Sequence, residues 1–96
     1  VYVNAYNHGF DAYAYIESLP LDRVVQFHVA GHSQADGYLA DTHRGEVSPG
    51  VWQLLLHAVR RGARAAVLVE WDADIPDFAT VHQQALLGKA LLAGAS

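Results

Sequence analysis

Within QFHVAGHSQADGYLADTH (26–43) the chain places His28, His32 and His43 close to Asp36 and Asp41, and further on VLVEWD (67–72) ends in Glu70 and Asp72. Imidazole nitrogens and carboxylate oxygens are the ligands of zinc, manganese and non-haem iron, and they are also general acids and bases. The chain has no cysteine, so thiolate zinc sites, iron–sulfur clusters, disulfides and a cysteine nucleophile are excluded for it. Taken alone, His28 fits a hydrogen-bonded core histidine as well as a ligand, and His32 fits a solvated loop. If DTH (41–43) is extended, Asp41 and His43 point the same way and can meet one cation, a weak motif that also occurs by chance. Glu70 follows a run of apolar residues, so it needs either a metal or a cationic partner. Three histidines and two carboxylates together favour a metal over separate structural roles, but spacing does not name the ion.

These groups must be held by something. Val24, Gln26, His28 and Ala30 alternate with Val25, Phe27 and Val29, which predicts a strand whose apolar face packs on helices while His28 points away from them. ARAAVLVEWD predicts a second strand with Leu68, Glu70 and Asp72 on one face and Val67, Val69 and Trp71 on the other. Three helices are expected. One runs from Ala12 to Leu19, with Asp11 as N-cap, Tyr15, Ile16 and Leu19 on one side and Pro20 as its stop. Ser48 and Pro49 open another that continues through Arg61 to Gly62, with Val51, Leu54, Leu55, Ala58 and Val59 inward and His57 on the wet face. The last starts after Asp77, with Phe78, Val81, Ala85 and Leu92 on its packed side and His82 at the edge of that side. Residues 1–10 show no period and read as loop, and residues 31–47 as a long polar loop of the kind that often carries function.

The order is helix, strand, long loop, helix, strand, helix, which requires parallel strands joined by a crossover helix. Two strands cannot bury a parallel sheet, and a closed barrel of eight βα units takes ~250 residues. The expectation is therefore an α/β fold, with residues 1–96 forming the C-terminal portion, about the last two βα units, of a (β/α)8 TIM-type barrel. In such barrels the chemistry sits at the carboxyl ends of strands, where His28, His32, Asp41, His43, Glu70 and Asp72 all fall. The absence of Met, even at position 1, also reads as a piece of something longer. A formal charge of −4 and no basic run beyond Arg60–Arg61 argue against nucleic acid. No apolar run approaches the roughly 20 residues that span a bilayer, and no signal peptide is visible, so a cytoplasmic location is the default.

Four ordered blocks then resemble a known bacterial family: VYVNAYNHGFD (1–11), VVQFHVAGH (24–32), DTH with VSPGVWQLL (41–55), and VLVEWDADIP (67–76). The chain is similar over nearly its whole length to the C-terminal part of the multinuclear non-haem iron-dependent oxidative enzymes, which include the methanobactin-maturing oxidase and have a xylose-isomerase-like barrel. That resemblance implies a centre of two or three iron ions, dioxygen as co-substrate, and oxidative modification of cysteines in ribosomally made precursor peptides beside a peptide-capturing partner protein. It makes His28, Asp41, His43, Glu70 and His32 metal ligands, and puts Asn7, His8 and Asp72 at the substrate or behind the ligands. Many members continue DTH with His and Pro, where this chain has Arg44, Gly45 and Glu46, so the substrate contacts differ. The family's other ligands lie on earlier strands, so this chain carries about half a site. Two other readings stand beside it: a divalent-metal isomerase or hydrolase on the same barrel, with Glu70 or a histidine as base, and a non-catalytic metal-binding or assembly fragment free to oligomerise.

Overall fold

A computed structural model describes residues 1–95. The element order is α1 (Tyr2–His8), α2 (Ala12–Glu17), a 3-10 turn (Leu21–Arg23), β1 (Gln26–Ala30), β2 (Ser33–Gln34), β3 (Leu39–Ala40), α3 (Pro49–Arg60), β4 (Ala66–Glu70) and α4 (Phe78–Ala95). The fold is mixed α/β. β1 and β4 pair in parallel, with His28 opposite Leu68 and Ala30 opposite Glu70. Strand alternation sends Phe27, Val29, Val67 and Val69 to one face, where they pack with Val47, Val51, Trp52, Leu55, Leu91 and Leu92 from α3, α4 and the loop before α3. A second cluster joins Ile16 of α2 to Leu54, Ala58 and Ala63, with Tyr2, Leu19 and Leu21 against it. The other face of the sheet is bare: Gln26, His28, Ala66 and Leu68 are all exposed.

Residues 1–10 are not loop. Tyr2–His8 is helical and closes on Gly9, whose φ of 71° suits glycine and whose N–H reaches the Ala5 carbonyl at 2.9 Å. Aromatic and Asn residues are weak helix formers, so packing of Ala5 and Tyr2 against the body decides the conformation here. The long polar loop likewise contains structure, because β2 and β3 form a short antiparallel hairpin.

The sequence phase also needs correction in three places. Val25 belongs to no packed face; it precedes β1 and is 82% exposed. Tyr15 is exposed while Ile16 alone of α2 is buried, and the helix ends at Glu17, short of Leu19. In α4 the buried residues are Gln84 and Gly88, while Phe78 is 79% exposed and Ala85 is exposed too. Gln84 faces inward because its Oε1 accepts the Val47 N–H at 2.9 Å, and Gly88 because the Trp52 ring fills the space a side chain would take. Asp11 caps α2 as expected, accepting from the Tyr13 and Ala14 amides. Ser48 holds the N-cap position of α3 without a side-chain cap bond. Gly62, φ 110°, follows that helix.

Candidate metal centre

Because Glu70 lies two residues beyond Leu68, the partner of His28, it sits diagonally across the bare face from that histidine. The Nδ1 atom of His28 pairs with Glu70 Oε1, and its Nε2 contacts Gln26 Oε1 at 2.8 Å. Glu70 Oε2 lies 3.0 Å from His43 Nδ1, which is also 2.7 Å from Asp72 Oδ2. The opposite ring nitrogen, Nε2 of His43, lies 3.1 Å from Asp41 Oδ1. One continuous polar chain thus runs Gln26, His28, Glu70, His43 and Asp72, with Asp41 on its flank.

His43 is brought there by backbone geometry. Its carbonyl accepts the Asp72 N–H at 2.7 Å, and Arg44 bridges Ala73 in parallel, so the segment after the hairpin runs beside the end of β4. His43 has φ 52°, in the left-handed region that few non-glycine residues adopt, and that turn directs its ring between the carboxylates. The imidazole pKa is raised from its ordinary value near 6.5, first by the hydrogen bond to Asp72; partial burial opposes this, and the charges of Asp41, Glu70 and Asp72 add to it. Three carboxylates around one ring form a place that attracts positive charge, which a proton or a metal cation can supply.

An open cleft of about 290 Å³ borders this chain, lined by Tyr2, Asn4, His28, Gly31, His32, Asp41, His43 and Glu70 among others. One ligand atom each from His43, Glu70 and Asp72 lies within 4.8 Å of the others, a spread that one ion can bridge. His32 also faces the cleft; its Nδ1 is buried without a hydrogen-bond partner, and its ring lies 5.2 Å from that of Tyr2. A buried imidazole nitrogen left bare is costly, which fits a nitrogen reserved for a cation.

Of the residues singled out from the sequence, the fold gathers His28, His32, Asp41, His43 and Glu70 around the cleft, and Asp72, outside its lining, lies 2.7 Å from His43, nearer than Glu70 or Asp41. Asn7 and His8 stand elsewhere. Asn7 spends its amide on the Leu39 backbone, donating to the carbonyl and accepting from the N–H at 2.8 Å each, and His8 is exposed at the end of α1. Gln26 was not anticipated, although its parity with His28 was legible in the strand alternation. His57, expected on the wet face, is half-buried, 3.1 Å from Glu17 and edge-on to Tyr13. His82 is exposed and stacks on Phe78.

Comparison with known proteins bears on the same residues. The chain is 47% identical over 85 residues to a UPF0276 protein of Acaryochloris marina, covering 88% of this chain and 31% of that one. It is 49% identical over 84 residues to a UPF0276 protein of an Anaeromyxobacter species, covering 88% and 30%. Against the UPF0276 protein of Chromobacterium violaceum the identity is 40% over 95 residues, covering 99% and 34%. The chain thus spans about a third of the length of the curated relatives it matches. No solved structure matches it. The profile of the RiPP precursor modification enzymes MbnB/TglH/ChrH matches residues 1–93, taking in every residue of the cleft, and the chain belongs to that family.

Proposed function

We propose that this chain is the closing portion of a TIM-type barrel enzyme that uses iron and dioxygen to oxidise cysteine residues of a ribosomally made precursor peptide. The observation that carries the reading is the position of the polar chain. His28, Glu70, His43 and Asp72 lie on, or at the end of, the exposed face of the β1–β4 sheet, beside an open cleft. A parallel sheet is stable only with both faces covered. In a barrel the bare face would be the interior, which puts these side chains at the carboxyl ends of the last strands, where such barrels keep their chemistry. The family's description supports a peptide as substrate. A centre of two or three ions completed by residues outside this chain, a peptide-capturing partner protein and a cytosolic setting are parts of the same proposal.

The donor set fits iron, since imidazole and carboxylate with no thiolate is the ligation non-haem iron takes. His28, His32, Asp41, His43 and Glu70 would hold the ions, and iron, when bound, would supply the one-electron steps with dioxygen. The rest falls to the chain itself. Glu70 spans His28 and His43 with its two oxygens and so fixes their separation. Asp72, at Nδ1 of His43, sets that ring's plane, and Asp41 lies at the opposite nitrogen, Nε2, the side on which the ring and that carboxylate would hold an ion together.

The test is metal analysis of the full-length protein purified without added metal, beside His28→Ala, Asp41→Ala, His43→Ala and Glu70→Ala. Iron above one equivalent, falling in each variant, is the expected result. Zinc or no metal in the wild type, with four variants indistinguishable from it, would end the oxidase reading.

A further inference from the structure

We propose that Gly31 is the positioning residue of the site: its missing side chain opens the slot through which the His43 segment reaches the end of β4. The inference concerns the same site as the proposed metal centre, but it is tested on metal-free protein and so stands or falls separately.

A Cβ built on Gly31 would lie within 3.0 Å of the Arg44 carbonyl oxygen and of the carbonyl oxygen and carbon of Gly45. All three are backbone atoms, so no rotamer change relieves the clash. Gly31 is buried and is not among the glycines with positive φ, so its requirement is for space and not for an unusual backbone conformation. Gly9, Gly37, Gly45 and Gly62 are the reverse: each has positive φ and nothing within 4 Å of the added carbon. Gly31 therefore marks a close approach of two backbones.

What approaches is the segment that carries the site. Residues 43–45 lie between the end of β1 and the end of β4, pinned on the far side by the Asp72 N–H to His43 carbonyl bond and the Arg44–Ala73 bridge. Further along, the buried Gln84 holds Val47 by its amide. The segment is therefore fixed on the β4 side and beyond, and Gly31 is the wall it leans on. A methyl there must push Arg44 and Gly45 out to ordinary contact, and His43 moves with them. Its bonds to Asp72 at 2.7 Å and Glu70 at 3.0 Å have no slack to follow.

The experiment is residue-resolved amide hydrogen exchange and two-bond 1H–15N imidazole spectra on metal-free full-length protein, wild type and Gly31→Ala. Expected for a folded Gly31→Ala is a loss of Asp72 amide protection of about tenfold or more with the β1–β4 amides unchanged, and a shifted His43 imidazole signal. A merely structural glycine would lower protection of the β1–β4 amides as well. Unchanged Asp72 protection and an unchanged His43 signal in a folded variant overturn the proposal, as does a uniform loss across the sheet. Should Gly31→Ala fail to fold, wild-type protein decides: a cross-relaxation peak between the Gly31 and Gly45 α-protons supports the close approach, and its absence rejects it.

Discussion

At the scale of single residues, side chains that look alike in the sequence do different work. Asn7 and His8 sit side by side, and the family resemblance implies a place for both at the substrate or behind the ligands, while the Asn7 amide satisfies both backbone groups of Leu39, which is buried. Nothing in a linear pattern reveals a partner 32 residues away. Replacing Asn7 by Ala strands a buried N–H and a buried carbonyl, so stability should fall by about 1–3 kcal/mol. Asn7→Asp keeps only the acceptor and should recover part of that loss; urea denaturation of the two variants checks the order. Asp77 was legible as a helix start. Its carboxylate accepts the Thr80 hydroxyl at 2.6 Å and the Thr80 N–H at 3.1 Å, and these bonds, the hydroxyl first, hold its pKa below the ordinary 3.8. A pKa lowered in the folded state means a contribution in force above the unfolded value and lost as pH falls through the folded one. The stability difference between wild type and Asp77→Ala should therefore hold from neutrality to about pH 5 and close below about pH 4. A difference that persists undiminished in stronger acid would show that the cap acts without its charge.

At the scale of elements, period 2 was a better guide than period 3.6. The parity that set His28 apart from Phe27 and Val29, and Leu68 and Glu70 apart from Val67 and Val69, holds, and the observed register brings the two polar sides together, because a strand has only two faces to choose between. Helix phase held only in part in α4: Leu92 packs on the sheet as expected, but apolar residues surround the axis, so Phe78 and Ala85 are exposed while a glutamine and a glycine are buried. Gly88 packs under Trp52, with an added carbon falling 3.0–3.1 Å from the ring. Gly88→Ala combines a helix-propensity gain with a tight fit and should be close to neutral, whereas Gly88→Leu overpacks and should cost about 1–3 kcal/mol. Trp52→Ala removes the largest side chain of that layer and should cost about 3–5 kcal/mol. Thermal melts of the three variants test the contact: a stable Gly88→Leu would mean that α4 does not lie against Trp52 as described. The hairpin β2–β3 was illegible for a different reason, since strands of two residues leave no period to detect.

At the scale of the whole molecule, the sequence already implied too few strands for a parallel sheet, and the structure shows what that leaves open. Among the described residues β1 and β4 pair in a sheet only with each other, so both strands are edge strands, and Leu68 on the bare face is exposed beside His28. Ile75 and Phe78 add apolar surface at the end of β4. A two-stranded sheet is marginal in water, and exposed edges with an apolar face drive association. Produced alone, this chain should therefore show a concentration-dependent mass by size-exclusion chromatography with light scattering and should bind a hydrophobic dye. Leu68→Lys, placed on the open face away from both helices, should reduce the association if that face is the contact and leave it unchanged if the strand edges are. If the proposed barrel is right, a protein carrying its remaining strands should be free of both signs, since those strands would cover the face. A sharp, dye-silent monomer from the 96-residue chain would mean that the bare face is content with water, and the barrel reading would lose the physical reason for which it was proposed.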